Sequence, residues 1–537
     1  MARNILFITT DQQRYDALGC NGGTVARTPV VDALAASGIR YERAVNQNTV
    51  CMPARSTMLT GQYVRTHGVV ANGIPLPLDA PSVAAHLADA AGYRTALLGK
   101  AHFEPGFDPG YAFEENARAQ RGDTGPWRGF ERSVNVMHAA AWGKRRLAHY
   151  GYWLAEHHPE HLHSYAGLLQ GAPGGDTGAP ETKNNPIPRA WYHTDWVADL
   201  AVEWLGGLGD GDDWFCWVSF PDPHHPWDPP ASELGRVDRR DLDLPAGHPG
   251  SDDAVRKVLA GKPPHWLGYW EGTFQNVEGG PAAFVPGHLT HDQIREITAK
   301  VAVMNELIDE ACGRVLAAIA ARGWLEDTDV IFTTDHGELQ GDFGLLYKGP
   351  FHTDALMRLP LVWRPAPSSG TAPAVVADPV GQVDLAPTFC AIAGIAPADW
   401  MQGRPLPLAD GEPGRERALC EWDSQFPGYG MHLRSVVRDG WLCTVYEPST
   451  AGQPNGLERL FGDGVLAPAS VVYEQTSTGP GGVGIATGEL YDLADDPHQW
   501  HNRWDDPACR AQRDDLIADL YASLPADVRH LDVVAPA

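Results

Sequence analysis

The chain alternates between short apolar runs that stop at a polar residue and longer stretches with helical spacing. Asn4–Thr10 (NILFITT) is apolar and β-rich and ends at Asp11, the signature of a buried strand. Thr28–Gly38 (TPVVDALAASG) has a capping threonine, a first-turn proline and a closing glycine, which predicts a short helix. Ser82–Gly92 repeats that pattern and leads into Tyr93–Lys100 (YRTALLGK), a strand ending at a lysine. Further along, Asp195–Gly209 predicts a helix and Asp213–Trp227 a strand running into a Pro/His loop. Gln293–Gly323 predicts long helix in two pieces. Strands follow at Thr328–Glu338 and Leu359–Pro365, then a helix at Val383–Ile395.

Strand–helix alternation of this kind predicts an α/β fold with a large, mixed but mostly parallel sheet flanked by helices. Residues 103–190 break the rhythm. They are rich in Gly, Pro, Trp, His and Tyr and read as an insertion above the sheet, with a helical piece near Val136–His157. After about Asp410 short alternating pieces such as HLRSVVRDGWLCTVYEP and GELYDLADDP predict an antiparallel sheet, followed by a terminal helix. The expected division is a catalytic domain over residues 1–410 and a smaller C-terminal α+β unit over 411–537. A chain of 537 residues exceeds what one core usually supports, which agrees with a large unit plus a small one.

Charge narrows the partners. With 41 basic against 68 acidic residues the formal charge is −27, a surface that repels nucleic acid and anionic membranes. It leaves room for a small anionic substrate in a cleft with its own fixed cations. No run of 18 apolar residues predicts a membrane span, and the N-terminus lacks a secretory pattern, so the expected compartment is the cytoplasm. The eight cysteines form no CxxC pair, and Cys216, Cys312 and Cys390 sit in apolar segments as buried thiols. The acidic surface and the insertion permit packing into homo-oligomers.

Ligands of open α/β sheets gather beyond the carboxyl ends of the strands. Polar sets stand at such ends: Asp11-Gln12, Lys100 with His102, His224-His225 and Asp335-His336. Each alone has a bland reading as a cap, a solvated lysine or a structural histidine. Their repetition at corresponding ends points to a shared site. Asp11, Gln12, Asp335 and His336 form an oxygen-dominated set suited to one hard divalent ion, with Ca²⁺ preferred and Mg²⁺, Mn²⁺ or Zn²⁺ as alternatives.

Cys51 opens the stretch CMPARSTMLTG. A helix start favours anions, so Cys51 reads as a thiolate nucleophile or a metal ligand. Arg55, one turn on, would clamp an anionic ester.

CMPAR followed by STMLTG resembles the type I sulfatase signature, in which the cysteine is oxidised to Cα-formylglycine by a separate maturation enzyme. DQQRYDALGC, GKAH, DPHHPW, TTDHGE with the downstream YKGPFH, and GELYDLADDP resemble the family's other segments in order, over roughly residues 4–500. The family is the sulfatase branch of the alkaline-phosphatase-like superfamily. The resemblance implies metal ligation by Asp11, Asp335 and His336, and formylglycine at position 51. It implies that Arg55 orients that residue, Lys100 holds the ester's non-bridging oxygens and His102 contacts the second hydroxyl. His224 would face the substrate, in preference to His225, and Lys348 would lie near the leaving oxygen. Asn72 and His352 join Phe103 and Trp227 as substrate-facing candidates, the two aromatic rings suiting an aryl or sugar group. The implied chemistry is attack by one hydroxyl of the hydrated aldehyde, then collapse of the ester through the other. Gln12 departs from the Asp-Asp of many arylsulfatases and resembles phosphonate monoester hydrolases, whereas Lys100 and His102 match the sulfatases. Gln62 stands where the signature often has arginine.

The expected function is a formylglycine-dependent sulfatase. The alternative is a phosphonate monoester hydrolase or phosphodiesterase with the same nucleophile. A non-catalytic anion-binding protein or an interaction protein leaves the retained chemical groups unexplained.

Overall fold

A computed structural model describes residues 3–106, 111–142, 145–165, 173–274, 276, 284–423, 431–449, 473–532 and 534. Parts of the predicted insertion, residues 107–110, 143–144 and 166–172, lie outside the described residues.

An eight-stranded sheet forms the centre. In chain order its strands are β1 (Asn4–Thr10), β2 (Ile39–Tyr41), β3 (Arg94–Gly99), β4 (Arg132–Asn135), β5 (Trp214–Ser219), β6 (Thr328–Thr334), β7 (Leu361–Arg364) and β8 (Ala374–Val376). The spatial order is β8-β2-β7-β6-β1-β5-β3-β4. From β6 to β4 every pair is parallel, and β7 runs antiparallel to both β6 and β2.

The central strands are apolar on both faces because both faces are covered. Leu6, Ile8, Leu98, Val218 and Phe332 pack on one side in a core shared with helices α1 (Pro29–Ala36), α6 (His193–Gly206) and α7 (His291–Ala321). Ile5, Phe7, Leu97, Trp217 and Ile331 pack on the other with α2 (Cys51–Thr60), α3 (Val83–Ala91) and α8 (Leu385–Ala393). The insertion adds α4 (Glu114–Arg121) and α5 (Ala148–His157).

The described C-terminal part builds a four-stranded antiparallel sheet, β9 (Arg417–Asp423), β10 (His432–Arg438), β11 (Trp441–Glu447) and β12 (Thr487–Asp492), backed by α9 (Arg510–Ser523). No helix among the described residues is long and apolar enough to cross a membrane.

Two expectations need correction. The stretch read as a two-piece helix is one helix of 31 residues, opened by a Thr290/Gln293 capping box, with an apolar face that runs along its length. The helix expected near Val136–His157 begins only at Ala148; Ala139 and Ala140 line the core as non-helical chain.

Candidate active site

Strand register brings the polar ends together. Thr10 pairs with Thr334 and Ser219 with Gly99, so Asp11, Asp335 and Lys100 leave the same rim of the sheet. Gly99 has φ +117°, and a Cβ there would lie 1.8 Å from the Ser219 carbonyl oxygen, so only glycine lets β3 approach so closely just before Lys100. Gln12 and His102 adopt left-handed φ of 66° and 54°, a sparsely populated conformation for non-glycine residues that clusters at functional sites.

Cys51 is the first residue of α2, and every residue of that helix is buried. Its first turn is tied down by side chains of the preceding and following loops. Asn48 Oδ1 accepts from Val50 N–H at 3.0 Å and Asn72 Oδ1 accepts from Met52 N–H at 2.9 Å. Asn72 therefore touches the start of the helix beside Cys51.

The Cys51 sulfur meets His336 Nε2 at 3.2 Å, Lys348 Nζ at 3.1 Å and Asp11 Oδ1 at 3.7 Å. Donor atoms of Asp11, Cys51, Asp335 and His336 all lie within 4.8 Å of one another and all four residues are buried. Two carboxylates and one imidazole fit a divalent cation. Arg55 lies beneath this group. Its Nε donates to Asp335 Oδ2 at 2.8 Å, its Nη2 to Asp11 Oδ2 at 3.4 Å and its Nη1 to Ser219 Oγ at 2.9 Å. The four-residue spacing from Cys51 puts this guanidinium on the same helix face, as expected.

Gln12 is placed differently from a free fourth donor. Its amide oxygen accepts from Lys348 Nζ at 2.9 Å, and its amide nitrogen donates to Glu338 and approaches His225 Nδ1 at 3.1 Å. Lys100 Nζ is held by Asp11 and by His138 Nε2, the latter at 2.8 Å. Lys348 Nζ also reaches His224 Nε2 at 2.7 Å. His225 is the neighbour of Gln12, with Nε2 3.8 Å from Glu181. Both histidines of the pair thus enter the site, and His224 is the one joined to the lysine beside Cys51.

Charge balance follows from this packing. Burial raises the Asp11 carboxyl, but Lys100 and Arg55 outweigh it and hold the group well below the usual carboxylate range. Burial and Asp11 push the Cys51 thiol up; Lys100, Lys348 and His336 pull it further down, leaving it below an ordinary thiol. Burial lowers Lys348, yet Cys51 and Asp11 raise it above its ordinary value. Burial lowers His102, His138, His224 and His225 well below the ordinary imidazole range, and the nearby ammonium groups of Lys100 and Lys348 push the same way.

Four expected residues lie elsewhere or make other contacts. Phe103 is fully buried against Trp127 and Trp217, part of the core on the α2 side of the sheet. Trp227 is also fully buried and stacks on Tyr347 behind His225. Two rings that read as pocket walls are packing. His352 turns toward the C-terminal sheet, where its Nδ1 meets Ser435 Oγ at 2.6 Å. His102 is buried near the cluster, and neither of its ring nitrogens has a hydrogen-bond partner among the described residues.

The sequence reading missed His138 and Glu338. Glu338 follows His336 by two positions and was visible in TTDHGE, though nothing there marked it as the partner of Gln12. His138 had no signal: it lies in the insertion among alanines.

A buried nucleophile candidate beside a metal-binding cluster, on this sheet, defines a hydrolase of the alkaline-phosphatase-like superfamily. A sequence profile described as Sulfatase matches residues 3–395, and the chain belongs to the sulfatase family. It is 28% identical to the uncharacterized sulfatase YidJ of Escherichia coli (strain K12) over 94% of this chain and 83% of that protein. It is 27% identical to the multifunctional alkaline phosphatase superfamily protein PehA of Trinickia caryophylli, over 95% and 92% respectively. The fold is similar to that of the phosphonate monoester hydrolase of Agrobacterium radiobacter, with TM-score 0.73, 24% identity and coverage of 97% and 95%.

Proposed function

We propose that this chain is a sulfuric ester hydrolase of arylsulfatase type, acting through a formylglycine made from Cys51 by a maturation enzyme. The observation that carries the reading is the Cys51 sulfur, in contact with both His336 and Lys348 at the edge of a buried carboxylate pair. That sulfur stands in for the hydroxyl oxygens of the hydrated aldehyde. Asp11, Asp335 and His336 would hold the divalent ion, with Ca²⁺ preferred for an oxygen-rich set and Gln12 as the candidate fourth ligand. The ion would supply Lewis-acid charge that lowers the pKa of the attacking hydroxyl.

The protein's own groups do the rest. Arg55 fixes both carboxylates and the orientation of residue 51. Lys100 presents its donors to the non-bridging oxygens. Attack by the residue 51 hydroxyl forms its bond to sulfur and breaks the bond to the leaving oxygen. Lys348, protonated and joined to a neutral His224, delivers the proton that the leaving oxygen takes up. His102, with neither ring nitrogen committed among the described residues, takes the proton of the second hydroxyl as aldehyde and sulfate separate.

A second reading is favoured by Gln12. One carboxylate fewer at that position leaves the cluster less negative, which suits phosphonate monoesters or phosphodiesters. PehA, a multifunctional relative, lends support. The test is turnover of an aryl sulfate beside a phosphonate monoester by protein whose residue 51 has been measured by peptide mass. Turnover that does not follow the aldehyde fraction would overturn the formylglycine reading.

A further inference from the structure

Two lysines reach the nucleophile's surroundings, and each ends on a histidine. Lys348 Nζ meets His224 Nε2 at 2.7 Å. Lys100 Nζ meets His138 Nε2 at 2.8 Å. The two imidazoles lie face to face, with centroids 3.6 Å apart and planes 12° apart, and His225 continues the stack at 3.9 Å and 27°. The pairs therefore run side by side across the same site.

The backbone explains how an insertion residue gets there. Val136 N–H donates to the Gly99 carbonyl at 3.2 Å, extending the pairing of β4 with β3 past its end. The chain leaving β4 is thus held alongside the residue that precedes Lys100, and His138 follows two positions later.

The ring's bonding argues for a role in the site. A lysine amine in its charged form has donors only, so His138 Nε2 must accept, and the neutral ring carries its proton on Nδ1. That Nδ1 is shielded from solvent and has no hydrogen-bond partner among the described residues. A histidine kept for structure satisfies both nitrogens as a rule. Among the described residues the one hydrogen-bond partner of the ring is Lys100.

We propose that His138 is a positioning residue of this site: it accepts from Lys100 and braces His224. Lys100–His138 then serves the non-bridging oxygens of the ester, while Lys348–His224 serves the leaving oxygen. The role rests on the ester-hydrolase reading above. Without the acceptor, Asp11 is the one partner left to Lys100 Nζ among the described residues, and the lysine is drawn toward the carboxylates, away from an incoming anion.

The test compares His138→Leu, which keeps bulk but no acceptor, with His138→Gln, which keeps an acceptor. Each is assayed, with residue 51 fully converted, on aryl sulfates of good and poor leaving groups. Binding of inorganic sulfate is measured by calorimetry. Loss of one charge-assisted hydrogen bond predicts a fall in kcat/KM of roughly ten- to a hundredfold for His138→Leu, equal for both leaving groups. Sulfate binding should weaken in parallel, and His138→Gln should recover most of both. A change within about twofold, a glutamine no better than leucine, or a loss that steepens with the poorer leaving group would each overturn the proposal. If His138→Leu fails to fold, His138→Ala with imidazole added to the buffer decides: recovery supports the role and its absence refutes it. A fully converted wild type that hydrolyses neither sulfate nor phosphonate esters would sink the hydrolase reading instead, and sulfate binding by the variants would still judge His138.

Discussion

Lys348 Nζ stands 3.1 Å from the sulfur of Cys51, with both groups buried. The lysine lies 297 positions downstream of the cysteine, yet its ammonium donates directly to the nucleophile's sulfur. Lys348→Ala should lower kcat/KM by roughly a hundred- to a thousandfold with a poor leaving group and far less with a good one. His224→Ala should show the same slope in smaller measure, whereas His225→Ala should not. Equal losses across leaving groups for Lys348→Ala would remove the lysine from proton delivery.

Residue 51 should carry an aldehyde in active preparations. Cys51→Ser keeps one hydroxyl beside the metal cluster but lacks the second, so it should accept one sulfuryl group and stall. Cys51→Ala should lose turnover outright. Neither substitution removes much buried volume, and both should keep the fold. Intact mass of the residue 51 peptide, set against specific activity across preparations, checks this. Constant activity at varying aldehyde content would show another nucleophile.

Protein purified without added metal should contain one divalent ion per chain, calcium by preference. Asp335→Asn should lower its occupancy and activity together. Arg55→Ala should do more harm, since it takes the guanidinium from two buried carboxylates, and breaking buried ion pairs by removing one partner costs on the order of 3–5 kcal/mol. Elemental analysis and thermal unfolding with and without chelator measure both effects. Two stoichiometric zinc ions would place the protein nearer the phosphatases.

Glu115 offers a prediction with a pH sign. Its carboxylate accepts from the backbone N–H groups of His102, Phe103 and Glu104 at 3.2, 2.6 and 3.1 Å, clamping the loop that follows Lys100. Burial and the neighbouring Glu104 nevertheless push its pKa from 4.5 to about 7. A carboxyl raised on folding favours the protonated native state, so its contribution to stability is present below pH 4.5 and is lost as pH climbs to about 7. The difference in unfolding free energy between the wild type and Glu115→Gln should therefore fall across that window, by on the order of 3 kcal/mol at most, and stay level above it. Denaturant titrations at several pH values read it directly; a flat difference would contradict the assignment.

Much of this site was legible in the chain itself. Strand ends place Asp11, Lys100 and Asp335 on one rim because parallel strands with matched register end together, and the apolar runs mark where each strand stops. Cys51 and Arg55 share a helix face through a spacing of four, a local property of the backbone. Which aromatic rings pack and which face a ligand was not legible. Phe103 and Trp227 carry the same residue chemistry whether they line a pocket or fill a core, and only the neighbours brought in from distant segments, Trp217 for one and Tyr347 for the other, decide it. His352 sits four positions after Lys348 yet turns to Ser435, because the C-terminal sheet occupies that side. His138 became visible only when the end of β4 met Gly99. Its place depends on a contact between segments with no common periodicity, and no local pattern encodes such a meeting.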